Sequence, residues 1–537
     1  MTDGSASHRQ HRATVVVWLL PLVCATYAVV AGRDANWDLL NYHYYNAFAW
    51  LRDRAPLDLA VGQLQNWFNP LLHLPLYLGM EYLPPRVYAA LLGAVQGLNL
   101  ILIWSIARAS WPAAQTLPVT GPVLLTIVAG CGAGFLTQLG TSFGDTILSI
   151  PILGALRLII ATGAPGTRLP HRGTTGTAVL IAAAGVLGGI AVGLKPLAGI
   201  YAIALAAAAA SLAGQFQQRL SRLVLLGLGG LIGVAASAGW WYWHIWQLTG
   251  NPLFPYYNDI FQSPLYWNER FAFTYFLPKT ILEAIFYPWI WLVNPTRVSE
   301  MRFIALAIPG LATLVFVVCA ARLIGLRPQG ERRYNTAIPA LVSFWAVAYL
   351  LWLTQSSVYR FAVMLEMTAP LLIVVVLARW VPPALLRTRI VAVLIPVMLI
   401  TWPANFGRYA FGDRYVSLTP IDVAPGTMVL VAGWAPLSYM VPAFPPDIPF
   451  VRIQSNMHGF ADRPNGLDAE ARRRVETHRG PLSLLLAEPE WSIAQPVLDY
   501  YRYAVEREAC RVVDSTLAGG GGMGRLALCP LSVAPAP

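Results

Sequence analysis

Runs of roughly 17 to 23 apolar residues, separated by short polar turns, recur from Thr14 to Pro403. As a helix, each is long enough to cross about 30 Å of hydrocarbon. They predict about eleven spans, at 14–32, 87–107, 117–138, 143–162, 177–194, 197–213, 223–240, 302–321, 337–354, 362–378 and 389–404. The first run meets Arg33 and a group of aromatic residues without a small-residue cleavage site, so it reads as a retained span and not a removed signal peptide. The stretch from Phe68 to Leu83 is apolar but short. With Pro70 and Pro75 inside it and Pro84 and Pro85 just beyond, it fits a helix lying at the surface better than one crossing the bilayer.

Polar positions orient this pattern. Arg9 and Arg12, Arg108, Arg168 and Arg172, Arg219 and Arg222, the stretch from Arg322 to Arg333 and that from Arg379 to Arg389 all fall on one side of the eleven-span arrangement. By the positive-inside rule that side is the cytoplasm, together with the N-terminus. The long segments 33–86, 241–301 and the tail beyond 404 then face outward, and long loops of this kind are where function is sought. From about 405 the pattern changes to short strand-like runs, such as Thr427 to Ala432 and Ser483 to Leu486. These alternate with helical stretches at Leu467 to His478 and Ile493 to Glu508. The chain thus divides into a membrane domain at 1–404 and a small C-terminal α/β domain at 405–537, placed outside a bacterial inner membrane. No internal repeat is evident.

Composition agrees: 56% of the residues are hydrophobic and only 12% charged, which excludes an ordinary soluble domain. The formal net charge of +11 comes from short loops and not from one face, so no nucleic acid is expected as a partner. Of the five cysteines, Cys24, Cys131 and Cys319 lie in apolar runs. Cys510 and Cys529 flank a turn containing Gly519 to Gly522 in the polar tail, and are expected to form a disulfide in an oxidising compartment.

Candidate chemistry clusters at the outward side. In GRDANWDLLNYHYYNAFAW, Asp34 and Asp38 follow the first span. A helix starting near Asp38 would carry Tyr42 and Tyr45 on its own face with His43 beside them, while Asp38 could equally cap that helix. Asp145 opens the fourth span, where a helix N-terminus favours a carboxylate. Lys195, one of only two lysines, interrupts an apolar tract in GLKPLAG. An ionisable group there usually serves a ligand or pathway, although a snorkelling lysine needs none. Arg360 stands at the mouth of the tenth span, where a guanidinium offers bidentate donors that match a phosphate. Glu366, inside that span, is expected to pair with an arginine. The segment WWYWHIWQLTGNPLFPYYND adds His244 among aromatics that suit sugar rings and membrane headgroups alike.

No P-loop, dinucleotide fingerprint or zinc signature is present, so the substrate would have to arrive already energised. In order and sidedness, WDLLNYHYYNAFAWL, FNPLLHLPLYL, the span ending IAR, GTSFGD, GLKP and GNPLFP resemble the GT-C superfamily of integral-membrane glycosyltransferases. That superfamily includes the protein O-mannosyltransferases and the aminoarabinose transferases. The resemblance covers about the first 400 residues.

It implies a GT-C-like helical membrane fold and transfer of a sugar from a polyprenyl-phosphate donor to a glycan, lipid or protein acceptor outside the membrane. Asp38 would be the general base of a single inverting displacement, with Lys195 and Arg360 stabilising the leaving phosphate. Asp145, Tyr42, His43 and His244 would line the substrates. The first loop departs from the paired Asp-Glu of some members, since Leu39 follows Asp38, so a metal role for a second adjacent acid does not carry over. No cofactor is assigned, and a divalent ion stays open. The alternatives are a flippase or transporter of lipid-linked saccharide, a polysaccharide polymerase or ligase, and a non-catalytic envelope scaffold.

Overall fold

The apolar runs fold as expected for a multi-span membrane protein. A computed structural model describes residues 3–110, 120–163, 174–327, 337–381, 400–460, 462–515 and 524–533, with isolated positions between 382 and 399. Among these residues, seven helices are long and apolar enough to cross a membrane: Ala13–Ala31, Pro85–Ser110, Asp145–Gly163, Thr175–Leu194, Phe216–Thr249, Ala337–Gln355 and Tyr359–Trp380. Gly121–Gly130, Pro196–Ser211, Ile281–Val293 and Ala307–Leu323 are shorter apolar helices. The expected span at 389–404 lies largely outside the described residues.

Several elements differ from the sequence pattern. The run at 117–138 breaks at Cys131 and Gly132 into the helices Thr120–Gly130 and Ala133–Gln138. Glu366 causes this break to be stable: its Oε2 accepts the Gly134 and Phe135 N–H groups at 2.8 and 3.3 Å, and Tyr359 donates to Oε1 at 2.7 Å. The buried carboxylate therefore satisfies a helix start and a tyrosine, where an arginine partner was expected. The span expected at 223–240 runs on without interruption to Thr249, 34 residues in all and about 51 Å long. Trp240 to His244 are consequently helical, not loop. The segment 241–301 also contains the 13-residue helix Ile281–Val293, at about 20 Å too short to cross. The segment from Phe68 to Leu83 forms a short turn at Pro70–Leu72 and the nine-residue helix Leu74–Tyr82, likewise too short to cross.

The chain comprises two units, Met1–Val30 with Ala89–Ser237 and Phe273–Asn405, and Ala31–Tyr88 with Ala238–Ala272 and Phe406–Pro537. In the first, Thr174–Leu194 and Phe216–Thr249 cross at glycine. A Cβ at Gly185 would stand 2.2 Å from the Leu226 carbonyl oxygen, at Gly189 2.1 Å from that of Gly230, and at Gly233 2.2 Å from that of Val186. Small residues four apart let the backbones meet, which in lipid replaces hydrophobic drive as the source of helix association. Gly189→Val is expected to cut the yield of folded protein in membranes severely. Gly227→Ala, with nothing within 4 Å of the added carbon, should match the parent when both are followed by fluorescence-detected gel filtration.

The second unit joins the first loop to the C-terminal sheet. Strands β1 (Arg33–Asp34) and β2 (Arg408–Tyr409) pair antiparallel. At their start Gly32 adopts φ +95°, where a Cβ would stand 2.7 Å from the Tyr409 carbonyl oxygen. The larger sheet uses β3 (Met428–Val431), β4 (Phe450–Arg452), β5 (Leu482–Ala487), β6 (Tyr503–Val505), β7 (Arg511–Val513) and β8 (Leu526–Val533), in the order β4-β3-β5-β8-β6, with β7 also on β8. β3 is parallel to β4 and β5, and β8 is antiparallel to its neighbours.

Helix Gly466–Thr477 begins with a capping box of Asn465 and Asp468. The helix expected to reach Glu508 stops at Tyr501, because Arg502 turns left-handed (φ 59°) and the chain enters β6. The register of Arg511 opposite Leu528 sets Cys510 beside Cys529, and the two form a disulfide.

One stretch of the first loop is built into this sheet. Leu59 bridges Val451, donating to the Phe450 carbonyl at 2.8 Å and accepting from Arg452 N–H at 3.0 Å. Arg54 grips both Asp58 oxygens at 2.7 and 2.8 Å and donates to the carbonyls of Pro446 and Ile448. Arg452, fully buried, donates to the carbonyls of Val61, Gly433, Ala435 and Gln454.

Candidate active site

In the first unit, three charged residues from separate helix ends meet on two aromatic rings. Asp145 is the first residue of its span, Lys195 follows the last residue of Thr174–Leu194, and Arg360 lies in the turn Tyr359–Ala362 that leads into Val363–Trp380. Lys195 Nζ is 2.5 Å from Asp145 Oδ1, with both side chains largely shielded from solvent. The same ammonium stands 4.8 Å from the Phe361 ring centroid, and the Arg360 guanidinium carbon is 5.0 Å from that ring and 4.7 Å from Phe143. Phe361 thus carries two cations, a contact its quadrupole favours. One carboxylate partners Lys195, and its second oxygen, Asp145 Oδ2, is buried with no hydrogen-bond partner. Such an arrangement suits an anion that brings its own hydroxyl or bound donor.

A polar lattice fixes this cluster from below. Gln96, fully buried, accepts the Gly140 N–H at 2.6 Å and donates to the carbonyls of Gln138 and Thr141 and to Thr146 Oγ1. Gln138 in turn donates to the Arg360 carbonyl at 2.9 Å. Asn99 donates to the Thr146 carbonyl at 2.6 Å and accepts from Ser149. The amides of one membrane helix therefore hold both the turn before Asp145 and the turn bearing Arg360. Two polar positions three apart in QGLN are the sequence signal that could have revealed them; interior amides in a span are costly unless satisfied.

In the second unit, Asp38 sits in the first turn of a helix and is nearly buried. Capping, the competing role, falls to Asn36: its Oδ1 accepts the Leu39 N–H at 2.8 Å, and its own amide is held by both oxygens of Asp34 at 2.8 Å. Asp34 is thereby structural. The chain then makes a π-helical turn, Leu39–His43, closed by the Tyr44 N–H on the Leu39 carbonyl, before continuing as Tyr44–Leu51. Single π-turns of this kind recur at functional sites.

The extra residue in that turn separates Tyr42 from Tyr45, which an α-helix would have kept on one face. Tyr42 lies edge-on to His43 (4.3 Å), His73 (5.3 Å) and Phe68 (5.6 Å), whereas Tyr45 donates to Asp58 Oδ2 at 2.8 Å. His43 stacks on His73 with ring centroids 4.2 Å apart. His73 has no counterpart in the sequence reading, since nothing in the pattern links positions 30 residues apart. His244 packs on Trp241 at 5.3 Å, within the long helix. Among the described residues, no group of three or more His, Cys, Asp or Glu side chains is disposed to hold a metal ion.

No protein-family model matches the sequence, and no curated protein matches it. Solved structures do. ArnT from Cupriavidus metallidurans in the apo state aligns over 100% of both chains with a TM-score of 0.51 and 12% identity. The same protein bound to undecaprenyl phosphate aligns over 98% of this chain and 99% of that one, with a TM-score of 0.50 and 12% identity. The apo oligosaccharyltransferase of Archaeoglobus fulgidus gives 0.46 at 12% identity, over 91% of this chain and 73% of that one. Many membrane helices followed by a small C-terminal sheet, matched along the whole length of both chains, give this protein an ArnT-like fold.

Proposed function

We propose that the protein is a membrane glycosyltransferase that moves a sugar from a polyprenyl-phosphate carrier to an acceptor on the outer side of an inner membrane. The observation that carries this reading is the convergence of Lys195 and Arg360 on Phe361 beside Asp145. Two cations at helix ends, the Arg360 turn held through Gln138 and Gln96, would hold a lipid phosphate and stabilise the charge it gains on leaving. ArnT, whose fold this is, has been solved with undecaprenyl phosphate bound.

Asp38 would accept the proton of the acceptor hydroxyl as that oxygen attacks the anomeric carbon, in an inverting displacement. Asp145, Tyr42, His43 and His244 remain the proposed substrate contacts. Domains at 1–404 and 405–537 and a cytoplasmic N-terminus complete the reading, and a disulfide between Cys510 and Cys529 fits an oxidising compartment for the C-terminal sheet.

Mass spectrometry of lipid and glycan extracts from cells with and without the gene tests the function. A polyprenyl-phosphate sugar should accumulate on deletion while one glycosylated product disappears, and the missing mass names the sugar. A deletion that leaves donor and products unchanged would overturn the reading. Carrier trapped on the cytoplasmic side would favour a flippase instead.

A further inference from the structure

His43, read above only as a substrate contact, stacks on His73, which the mechanism does not use, and the two adjoin the turn that bears Asp38. Both imidazoles are buried, at 0% and 4% exposure. The rings lie nearly parallel, 22° apart, and the Tyr42 ring meets both edge-on. In the π-turn the backbone bond spans five residues, as from Tyr44 to Leu39, so a residue lies one turn above the residue five before it. Asp38 and His43 have that spacing. Two imidazoles in van der Waals contact do not both carry charge, because like charges so close repel and burial removes the water that would screen them. In its stable charged state such a pair carries one proton, held on one of the two rings.

We propose that the His43–His73 pair is the proton outlet of the reaction, which rests on Asp38 being its base. In the displacement, the acceptor O–H bond breaks and its electron pair forms the bond to the anomeric carbon. The bond from that carbon to the phosphate oxygen breaks, and its electrons leave with the lipid phosphate. The proton passes to the Asp38 carboxylate and then to His43, where stacking on neutral His73 spreads the charge. His73 is a positioning residue for this step.

The other titratable groups on the elements packed around the pair are mostly engaged elsewhere. Tyr44 donates to Glu81 and packs at a tilt against Tyr77, Tyr45 donates to Asp58, and Tyr439 donates to Ser515. Burial and the adjacent carboxylates raise the tyrosine values well above the ordinary one for Tyr44 and Tyr45, so neither titrates in the neutral range.

The test is the pH dependence of turnover by the purified full-length protein in lipid nanodiscs, using the accumulated polyprenyl-phosphate sugar as donor. The parent rate should fall as the pH drops far enough to protonate the pair, because a protonated pair cannot take up the proton. His43→Phe, which keeps a ring against His73, should lose that limb and turn over at least about tenfold more slowly at pH 8. His73→Phe should keep the limb with a displaced midpoint. His43→Gln gives the same reading if the phenylalanine variant does not fold. A limb unchanged in both His43 variants overturns the proposal even where Asp38→Asn is inactive, whereas a fully active Asp38→Asn removes the function on which it rests.

Discussion

Asp38→Asn is expected to accumulate in membranes at the parent level and to lose turnover by about 10²–10⁴-fold, the range a positioned general base supplies. The fold should not register the change, because helix capping belongs to Asn36, whose Oδ1 takes the Leu39 N–H. The amide keeps the size and polarity of the carboxylate. It gives up the favourable interaction of a negative charge with the helix start, worth about 0.3–1 kcal/mol. Product formation at matched membrane levels measures the loss, and thermal stability of the purified chain checks the fold. An asparagine variant that turns over normally while the gene deletion still has its defect would make Asp38 structural and dismiss it as the base.

The second large effect concerns stability. Arg452 is fully buried, and its guanidinium is the common donor to four carbonyls, those of Val61, Gly433 and Ala435 at 2.9 to 3.0 Å and that of Gln454 at 3.3 Å. Burial pushes its pKa down to about 9, a loss eased by the nearby Glu490, and the group remains charged at neutral pH. Arg452→Leu removes the donors and leaves the carbonyls without partners in a dry interior. At about 1–3 kcal/mol for each group left unmet, the loss should reach at least about 3–5 kcal/mol. The expected result is early proteolysis of the C-terminal sheet and a lowered thermal midpoint. Arg463→Leu, which removes an exposed arginine paired with Glu269, should change either by little. Because Val61 belongs to the loop that carries Asp38, loss of activity should accompany the loss of stability in Arg452→Leu.

How much of the site was legible follows from where each signal resides. Lys195, Arg360 and Asp145 stood out in the sequence because charge is rare in an apolar tract, and the cost of desolvating it demands a reason. Their separate positions at the ends of three spans were readable from the same pattern. Their meeting was not: Phe143 and Phe361 read as ordinary apolar residues until the helix ends brought both cations to one ring. Asp38 was legible as a carboxylate after the first span, but its release from capping depended on Asn36. A regular helix would put Tyr42 and Tyr45 on one face, and the π-turn shifts the phase by one residue.

The sequence alone determined that this is a multi-span membrane protein with a C-terminal α/β region, because span length and strand alternation are local properties set by bilayer thickness and residue period. It also determined the sidedness expected of the loops and paired the two cysteines of the tail. Only the tertiary structure decided the stacking of His43 on His73, the Gln96 lattice, the burial of Arg452 and the grouping of the first loop with the C-terminal sheet. These contacts join positions tens to hundreds of residues apart. Packing geometry selects them, and no periodicity along the chain encodes them.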